Sequence, residues 1–274
     1  MRICIIANGY PSDKDPQFGC FEKDQAIALQ KQGHEVIILY VDGRFREHWR
    51  KLGLISIEEK GIKVFGLFLF PMSLLLRLNY KLHFKLRCRM LDWVFKHMLK
   101  YSQKPDVIYA HFLYNISYAT YLKKKYSIPL VGIEHWSELN KPTLPKSISY
   151  RGKIAYDNAD KIISVSESLK KQIYKHFNRD SIVVHNMVGE EFFYQQALRN
   201  KNRDEIIFIS TGSLITRKGY DVLIKALAKI NNKLKKWELK IIGDGPEKEN
   251  LQRMIDENKL TKQIKLVGRK NKQE

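Results

Sequence analysis

Short apolar runs alternate with amphipathic stretches along most of the chain. The apolar runs predict β-strands at 1–7, 34–41, 62–69, 106–110, 129–134, 160–165 and 181–184. Between them, apolar positions recur every three or four residues and predict helices at 18–32, 74–101, 114–125, 146–158 and 166–176. Near-continuous apolar strands separated by helices are typical of a parallel sheet covered on both faces. The pattern therefore predicts an α/β fold.

One polar stretch interrupts this alternation. Residues 195–205 read QQALRNKNRDE, and strands and helices resume after them. The sequence therefore predicts two Rossmann-like domains, 1–194 and 206–274, joined by a linker at 195–205. The chain of 274 residues is long enough for each domain to bury a core. The second domain contains few elements and is expected to be incomplete.

The first loop with candidate chemistry follows the strand that begins the second domain. It contains Gly212 and ends in Arg217 and Lys218, and a helical stretch follows at once. A glycine turn at the start of a helix exposes backbone N–H groups and the positive end of the helix, which favours phosphate binding. The two cations add mobile positive charge. An ordinary turn with solvated basic residues is the alternative.

A second glycine loop, formed by Gly243, Asp244 and Gly245, follows the next strand and precedes Pro246. The pattern G-x-L-x-x-x-K-G at 212–219, followed by G-D-G-P, resembles the nucleotide-sugar-binding half of family 4 glycosyltransferases. Those are retaining enzymes of the glycosyltransferase-B fold, which has two Rossmann-like domains.

The resemblance implies a role for each of these loops. Lys218 is expected to bind the donor diphosphate, together with Gly212 and Arg217, whereas the 243–245 loop approaches the nucleotide. Ser213 stands where many members of the family have arginine, so Arg217 is expected to replace part of that charge.

The family continues into a Glu-x7-Glu segment that grips the donor sugar and ribose. Here the sequence reaches Glu274 directly after the strand-like QIKLVGR. We therefore expect a truncated donor domain that exposes apolar strand edges. This leaves open a second hypothesis, in which the chain is a non-catalytic remnant that binds anionic lipid or nucleic acid.

Three positions in the first predicted domain match further landmarks of the family, and His111, at the end of a predicted strand, is a fourth candidate. Gly19, in the loop after the first strand, is expected to approach the donor phosphate. His135, in GIEHWSE, resembles the histidine that contacts the transferred sugar, and it is the candidate catalytic residue. His111 and Asn186 are expected on the acceptor side, although a buried structural role is the alternative for His111.

The resemblance also implies the chemistry. The expected reaction transfers a hexose from a UDP- or GDP-sugar, with retention at the anomeric carbon, to a glycan or lipid-linked acceptor of a cell-surface polysaccharide. We expect no metal and no cofactor. The charge of the leaving group would then be stabilised by cations and helix amides.

A strongly basic composition points to an anionic partner. The net charge is +20, with a pI near 9.7. In the segment 73–104, apolar residues at helical spacing adjoin a basic side, which fits either an acidic membrane surface or a core helix with a merely solvated face. The family resemblance favours the membrane, because members of the family often glycosylate lipid-linked acceptors at the cytoplasmic face. The basic residues of that side that we assign to the membrane are Arg77, Lys81, Lys85 and Arg89. The predicted location is cytoplasmic, at the inner face of the membrane.

Other classes of function fit less well. The chain lacks a nucleic-acid-binding module, and no nucleic acid partner is expected. Its first turn lacks the G-x-G-x-x-G of dinucleotide-dependent oxidoreductases. The three cysteines, Cys4, Cys20 and Cys88, are widely spaced and indicate reduced, packed thiols. No apolar run has the length of a signal peptide or a membrane span.

Overall fold

The computed structural model describes residues 1–44, 51–70, 79–188, 206–234 and 236–270. The chain divides into two compact units, Met1–Val188 and Gly189–Glu274. The predicted linker 195–205 lies outside the described residues, as does the predicted end of the first domain at 189–194. The position of the boundary therefore stays a prediction.

Within the described residues, the first unit is built on an eight-stranded sheet with the order β3-β4-β2-β1-β5-β6-β7-β8. Each neighbouring pair is parallel except β3 and β4, which are antiparallel. The strands are β1 Arg2–Ala7, β2 Glu35–Asp42, β3 Gly53–Glu59, β4 Ile62–Phe68, β5 Val107–His111, β6 Leu130–Glu134, β7 Lys161–Ser164 and β8 Ile182–Val183.

Helices cover both faces of this sheet. They are α1 Cys20–Lys31, α2 Tyr80–Met98, α3 Phe112–Tyr126, α4 Lys146–Asn158 and α5 Glu167–Phe177. Alternate residues of β1 point to opposite faces. Cys4 and Ile6 join the core beneath α2 and α3, whereas Ile3 and Ile5 join a second core with Ala26 of α1. The predicted α/β fold with both faces covered is confirmed for this unit.

The pattern of apolar residues did not predict β3. This strand lies at the edge of the sheet, and Ile57 is largely exposed. Its hairpin with β4 turns at Lys60 and Gly61, which both have positive φ. A two-residue turn of that kind matches the twist of paired strands. Because β3 is half-exposed, its apolar signal was too weak to recognise.

The strand order reverses beside β1. The chain runs from β1 outward through β2 and later returns to β1 through β5. In open parallel sheets the crevice at such a reversal, beyond the carboxyl ends of the strands, is where ligands bind. Asn8, which follows β1, and His111, the last residue of β5, therefore stand at the expected binding edge.

The second unit contains a smaller parallel sheet of the order β11-β10-β9 within the described residues. Its elements are β9 Ile206–Thr211, α6 Tyr220–Ile230, β10 Trp237–Ile242, α7 Lys248–Glu257 and β11 Ile264–Gly268. Leu239 and Ile241 of β10 pack against Ile224 of α6 and Ile255 of α7. On β9, Ile206, Phe208 and Ile209 are exposed.

Candidate functional site

The loop that follows β1 folds back tightly on itself. Gly19 has φ +79°, and a Cβ atom there would lie 2.4 Å from the carbonyl oxygen of Gly9. A Cβ atom on Gly9 would in turn lie 2.0 Å from the ring of Phe18. Both positions therefore require glycine for steric reasons. The assignment of Gly19 to the donor phosphate stays a prediction.

A buried carboxylate that sequence reasoning missed lies under this loop. Glu22, in the first turn of α1, is 1% exposed and accepts a hydrogen bond from the backbone N–H of Asn8 at 3.3 Å. Its Oε2 has no partner among the described residues. Asn8 also accepts a hydrogen bond from Nδ2 of Asn115 at 2.9 Å. Burial raises the pKa of Glu22 to about 7.

The raised pKa of Glu22 predicts a pH-dependent stability. A free glutamate ionises near pH 4.5 and the folded one near pH 7. In that interval the folded state holds more protons, so the free energy of unfolding falls as pH rises. As pH rises from about 4 to about 8, the free energy of unfolding of Glu22→Gln should increase by about 3 kcal/mol relative to that of the unmodified protein. Urea unfolding measures this difference.

The control for this experiment is Glu167→Gln. Glu167 also lies in the first turn of a helix, α5, but it is exposed. Its substitution should leave the pH profile of stability unchanged. The raised pKa of Glu22 would be contradicted if the difference in unfolding free energy between Glu22→Gln and the unmodified protein were the same at every pH.

The two histidines predicted at strand ends lie against each other. Nε2 of His135 is 3.3 Å from Nδ1 of His111, and the rings stack with centroids 5.3 Å apart at an angle of 7°. His111 is fully buried, and its Nε2 has no hydrogen-bond partner among the described residues. The side chain of Asn186 hydrogen-bonds to His135. The structure thus brings together three of the predicted residues.

Burial keeps both imidazoles neutral. It lowers the pKa of His135 to about 4, against the opposing effect of the hydrogen bond with Asn186. Burial, and then the neighbouring His135, lower the pKa of His111 well below its ordinary value. Near neutral pH one ring nitrogen of the pair donates to the other, and His135 acts as a polar but uncharged group.

Aromatic side chains form the wall around this pair. The ring centroids of Phe21 and Phe112 lie 5.0 Å and 5.1 Å from that of His135. Phe112, the first residue of α3, has φ +67°. That conformation is uncommon for a bulky residue and marks stored backbone strain, which is frequent at functional sites.

Glu134 fixes the backbone that carries His135. It is fully buried, and Oε1 accepts from the N–H groups of His135 at 2.9 Å and Trp136 at 2.8 Å. Oε2 accepts from the hydroxyl of Tyr156 at 2.6 Å. Burial raises the pKa of Glu134 to about 7, although these hydrogen bonds oppose the shift. Glu134 therefore holds the loop in place from within the core.

A cavity of about 410 Å³ lies in the same unit. Asn8, Asn115 and Tyr114 form part of its wall. The ring of Tyr114 contacts that of Trp136, with centroids 5.0 Å apart, so the cavity lies close to the loop that carries His135. Three arginines, Arg44, Arg87 and Arg151, also line it.

Sequence reasoning missed these arginines, although a signal existed. Arg87 falls on the same helical stripe as Cys88, Leu91 and Val94, which face the core. Arg151 shares a stripe with buried residues of α4. A cation on a core-facing stripe needs an explanation, because arginine is rarely buried without a partner. The predicted membrane cations Lys81, Lys85 and Arg89 are instead exposed on α2, and Arg77 lies outside the described residues.

In the second unit, the two predicted glycine loops fit into each other. A Cβ atom on Gly243 would lie 1.9 Å from the carbonyl oxygen of Gly212, and one on Gly245 would lie 2.4 Å from that of Leu214. The N–H of Leu214 donates to the carbonyl of Asp244 at 3.0 Å. The aliphatic part of the Lys218 side chain approaches Gly212, within 3.6 Å of a Cβ placed there.

The cations of this loop pair are exposed. Arg217 and Lys218 have no carboxylate partner among the described residues. Gly219, with φ +68°, ends their turn and stands at the N-terminus of α6. The carboxylate of Asp244 accepts from the N–H of Gly245 at 2.8 Å and so braces its own loop. The structure gathers these predicted residues at the carboxyl ends of β9 and β10.

Neither unit shows a cluster suited to a metal. Within the described residues, no three His, Cys, Asp or Glu side chains are placed to hold an ion. In the same part of the chain, no helix combines the length and apolar character needed to cross a bilayer. Within the described residues, no disulfide bond joins Cys4, Cys20 or Cys88.

Two family models match the chain. Residues 23–192 match the model described as Glycosyltransferase Family 4, and residues 191–274 match the one described as Glycosyl transferases group 1. The first model alone covers more than half of the chain.

Curated relatives agree with these matches. An uncharacterised glycosyltransferase of Methanocaldococcus jannaschii is 31% identical over 173 residues, which are 62% of this chain and 45% of the relative. The GPI3 subunit of phosphatidylinositol N-acetylglucosaminyltransferase of Saccharomyces cerevisiae is 29% identical over 119 residues, 40% of this chain and 26% of the relative. The chain thus spans less than half the length of these relatives.

Solved structures show the same fold. Sucrose-phosphate synthase from Thermosynechococcus elongatus superposes with a TM-score of 0.68 at 15% identity, over 99% of this chain and 71% of the other. Anabaena HepE in complex with UDP-glucose superposes with a TM-score of 0.63 at 15% identity, over 99% and 70%. The lipopolysaccharide outer core galactosyltransferase WaaB gives 0.60 at 18% identity, over 99% and 69%.

Proposed function

The chain belongs to glycosyltransferase family 4, and from this membership we propose that it transfers a hexose from a nucleotide-sugar to a glycan or lipid-linked acceptor of a cell-surface polysaccharide. The donor is a UDP- or GDP-hexose, and the configuration at the anomeric carbon is retained. Structural neighbours with bound UDP-glucose and UDP-2-fluoroglucose support a nucleotide-sugar donor. A lipid-linked acceptor agrees with the name of the yeast relative.

One observation carries this proposal. The Gly212 and Gly243 loops pack against each other, and Lys218 lies over Gly212 with no carboxylate partner among the described residues. The start of α6 adds unpaired backbone N–H groups and the positive end of a helix. A diphosphate supplies the negative charge that such a site lacks.

The loop pair acts by stabilising the leaving group. As the bond between the anomeric carbon and the diphosphate oxygen breaks, negative charge develops on that oxygen, close to Lys218 and Arg217 in the proposed complex. The acceptor oxygen forms its bond to the anomeric carbon on the same face. The acceptor proton passes to the leaving phosphate, so no protein nucleophile is needed. Neutral His135 orients the sugar by hydrogen bonding.

The test is a calorimetric titration of the 274-residue chain with UDP, GDP and their hexose conjugates. Saturable binding of one nucleotide class identifies the donor and supports the proposal. Absence of heat with each of these compounds, at protein concentrations where the chain remains folded, would contradict a donor site on this chain. A neutral hexose serves as the control ligand.

We further propose that α2 rests on an acidic membrane surface at the cytoplasmic side. Leu82 and Trp93 are 49% and 52% exposed, and Lys81, Lys85 and Arg89 are exposed on the same helix. Apolar side chains that enter the interface, flanked by lysine and arginine, are the pattern of helices that lie on anionic lipid. This pattern favours anionic lipid over nucleic acid as the partner of the basic face of α2.

Replacing Lys81, Lys85 and Arg89 together by glutamine is expected to release the protein from anionic liposomes. Each cation near such a surface contributes about 1 kcal/mol, so the triple substitution should lower partitioning about a hundredfold. Liposome sedimentation at physiological salt measures the effect.

The matched control replaces Lys153, Lys171 and Lys175, which are exposed on α4 and α5, by glutamine. It removes the same charge from the same unit, away from α2. Equal losses of liposome binding in the two triple variants would show that binding depends on the net charge of the protein. That result would refute the proposal that α2 rests on the membrane.

A further inference from the structure

Two arginines of the first unit face inward and contact no carboxylate among the residues that the structure describes. Nη2 of Arg87 donates to the carbonyl oxygen of Val41 at 2.7 Å. Nη2 of Arg151 donates to Nδ1 of His83 at 2.9 Å and to the carbonyl oxygen of Tyr80 at 3.3 Å. Arg151 is 5% exposed, and its Nε has no hydrogen-bond partner among the described residues. Both side chains line the cavity of about 410 Å³.

The cavity holds more positive than negative charge. Among its described lining residues, Asp42 is the carboxylate, and Nε and Nη2 of Arg44 donate to its two oxygens at 3.1 Å and 3.0 Å. This pair is neutral as a whole. Among the described residues, the charges of Arg87 and Arg151 therefore remain uncompensated, with a sum of about +2 at neutral pH. A buried cation without a counter-charge is costly, which favours a bound anion.

The pKa of a neighbouring histidine reflects the same positive charge. Burial, and then Arg151 and Arg87, lower the pKa of His83 to about 4. His83 is therefore neutral near pH 7. Because Nδ1 accepts a hydrogen bond from Arg151, the ring proton is on Nε2. His83 adds a neutral donor to the wall of the cavity.

Arg87 and Arg151 each lie against an aromatic ring, which leaves guanidinium N–H groups available to a ligand. The guanidinium carbon of Arg151 lies 4.8 Å from the ring centroid of Tyr114, and that of Arg87 lies 5.5 Å from the ring centroid of Tyr118. Contact with an aromatic ring uses the face of a guanidinium and leaves the N–H groups at its edge free for oxygen atoms. Such edges bind phosphate in a bidentate manner.

We propose that this cavity binds a phosphate group carried by the acceptor, with Arg87 and Arg151 as its principal ligands. The proposal rests on the proposed glycosyltransferase function and names the class of acceptor. A phosphate monoester or a diphosphate matches a local charge of about +2 better than a carboxylate does. The volume of about 410 Å³ is within the range of small-ligand sites.

The position of the cavity gives this phosphate a role in catalysis. Tyr114 lines the cavity, and its ring contacts that of Trp136, the residue after His135. An acceptor anchored by its phosphate would therefore extend toward the candidate catalytic histidine. Holding the acceptor in this way reduces the entropic cost of bringing its hydroxyl to the donor.

The experiment titrates the 274-residue chain with glucose 1-phosphate and, as a neutral counterpart, methyl glucoside. We expect saturable binding of the phosphate ester only, weakened at least tenfold in Arg87→Gln because a charge-assisted hydrogen bond is lost. The control is Lys153→Gln, which removes the same charge from the exposed side of α4, the helix that carries Arg151, and should bind normally.

A second arm identifies the source of the phosphate. Vesicles of phosphatidylcholine with phosphatidate are compared with phosphatidylcholine alone, for both variants. Binding of phosphatidate vesicles that is lost in Arg87→Gln, without a response to glucose 1-phosphate, assigns the phosphate to a lipid. Binding of the soluble ester assigns it to a sugar phosphate. Either result supports the proposal.

Three results would overturn the proposal. The first is that neither glucose 1-phosphate nor phosphatidate vesicles bind, and the second is that Arg87→Gln binds them like the unmodified protein. The third is binding that survives Arg87→Gln but is lost in Lys218→Ala, because the phosphate would then occupy the donor loops. Failure of the donor site itself is recognised separately, by the absence of UDP and GDP binding.

A measurement on the unmodified protein covers the case in which Arg87→Gln does not fold. Phenylglyoxal modifies accessible arginines, and mass spectrometry maps the sites. Glucose 1-phosphate or phosphatidate vesicles should protect Arg87 but not Arg179, which is exposed on the same unit. Equal modification of Arg87 with and without the two probes would contradict the proposal.

Discussion

Lys218→Ala is expected to weaken the binding of a UDP- or GDP-hexose by the 274-residue chain between tenfold and a hundredfold. The aliphatic part of the Lys218 side chain lies beside Gly212, and its charge has no carboxylate partner among the described residues. A hydrogen bond to a charged phosphate oxygen contributes about 1.5–3 kcal/mol, which sets this range. Isothermal titration calorimetry with the donor identified for the unmodified chain measures the change.

The control for Lys218→Ala is Lys229→Ala. Lys229 is exposed in the last turn of α6, so the substitution removes the same charge at the opposite end of the same helix. Only the change at Lys218 should alter affinity if the diphosphate binds at the helix N-terminus. Equal affinities of the two variants would remove Lys218 from the diphosphate site.

Gly243→Ala should destabilise the second unit by about 3 kcal/mol and abolish donor binding. The added Cβ would stand 1.9 Å from the carbonyl oxygen of Gly212, and Gly243 has φ +151°, which an alanine adopts with strain. The clash is with backbone, so a rotamer change cannot relieve it, and the two loops must separate. Hydrogen exchange of the β10 amides, followed by mass spectrometry, reports on this unit separately from the first.

Gly268→Ala provides the matched control. Gly268 also has positive φ, +81°, but a Cβ there meets nothing within 4 Å. This variant incurs the backbone strain without the collision, so it should cost about 1 kcal/mol. If both variants exchange β10 amides at the same rate, the close packing of the two glycine loops is not what holds the donor site together.

The alternation of strands and helices was recognisable in the sequence because local interactions produce it. The helix at 146–158 was predicted with the bounds found for α4, and the strand at 62–69 was predicted to within one residue of β4. Both rest on spacing within a few residues. The strand β3 was not predicted, because an edge strand buries little apolar surface and its apolar pattern is weak.

The loops that carry the family motif were also located correctly. Gly212, Lys218 and Gly243 follow strand ends, and parallel strands place their carboxyl ends on one edge. The glycines were attributed to phosphate contact alone. Their packing against each other, 31 residues apart in the chain, could not be seen in a linear pattern, since a Cβ clash depends on where the second loop lies.

The sequence by itself determined the α/β class, the loops at the strand ends and the family, because these depend on local periodicity and on residues close together in the chain. The tertiary structure alone decided what surrounds each polar group. His111 and His135 stack across 24 residues, and Arg151 reaches His83 across 68. Helical spacing shows that Arg87 and Arg151 face the core. Only the packed helices show that both line a cavity in which the described carboxylate, Asp42, is paired with a third arginine. Charge compensation is a property of neighbours in space, and the fold selects those neighbours.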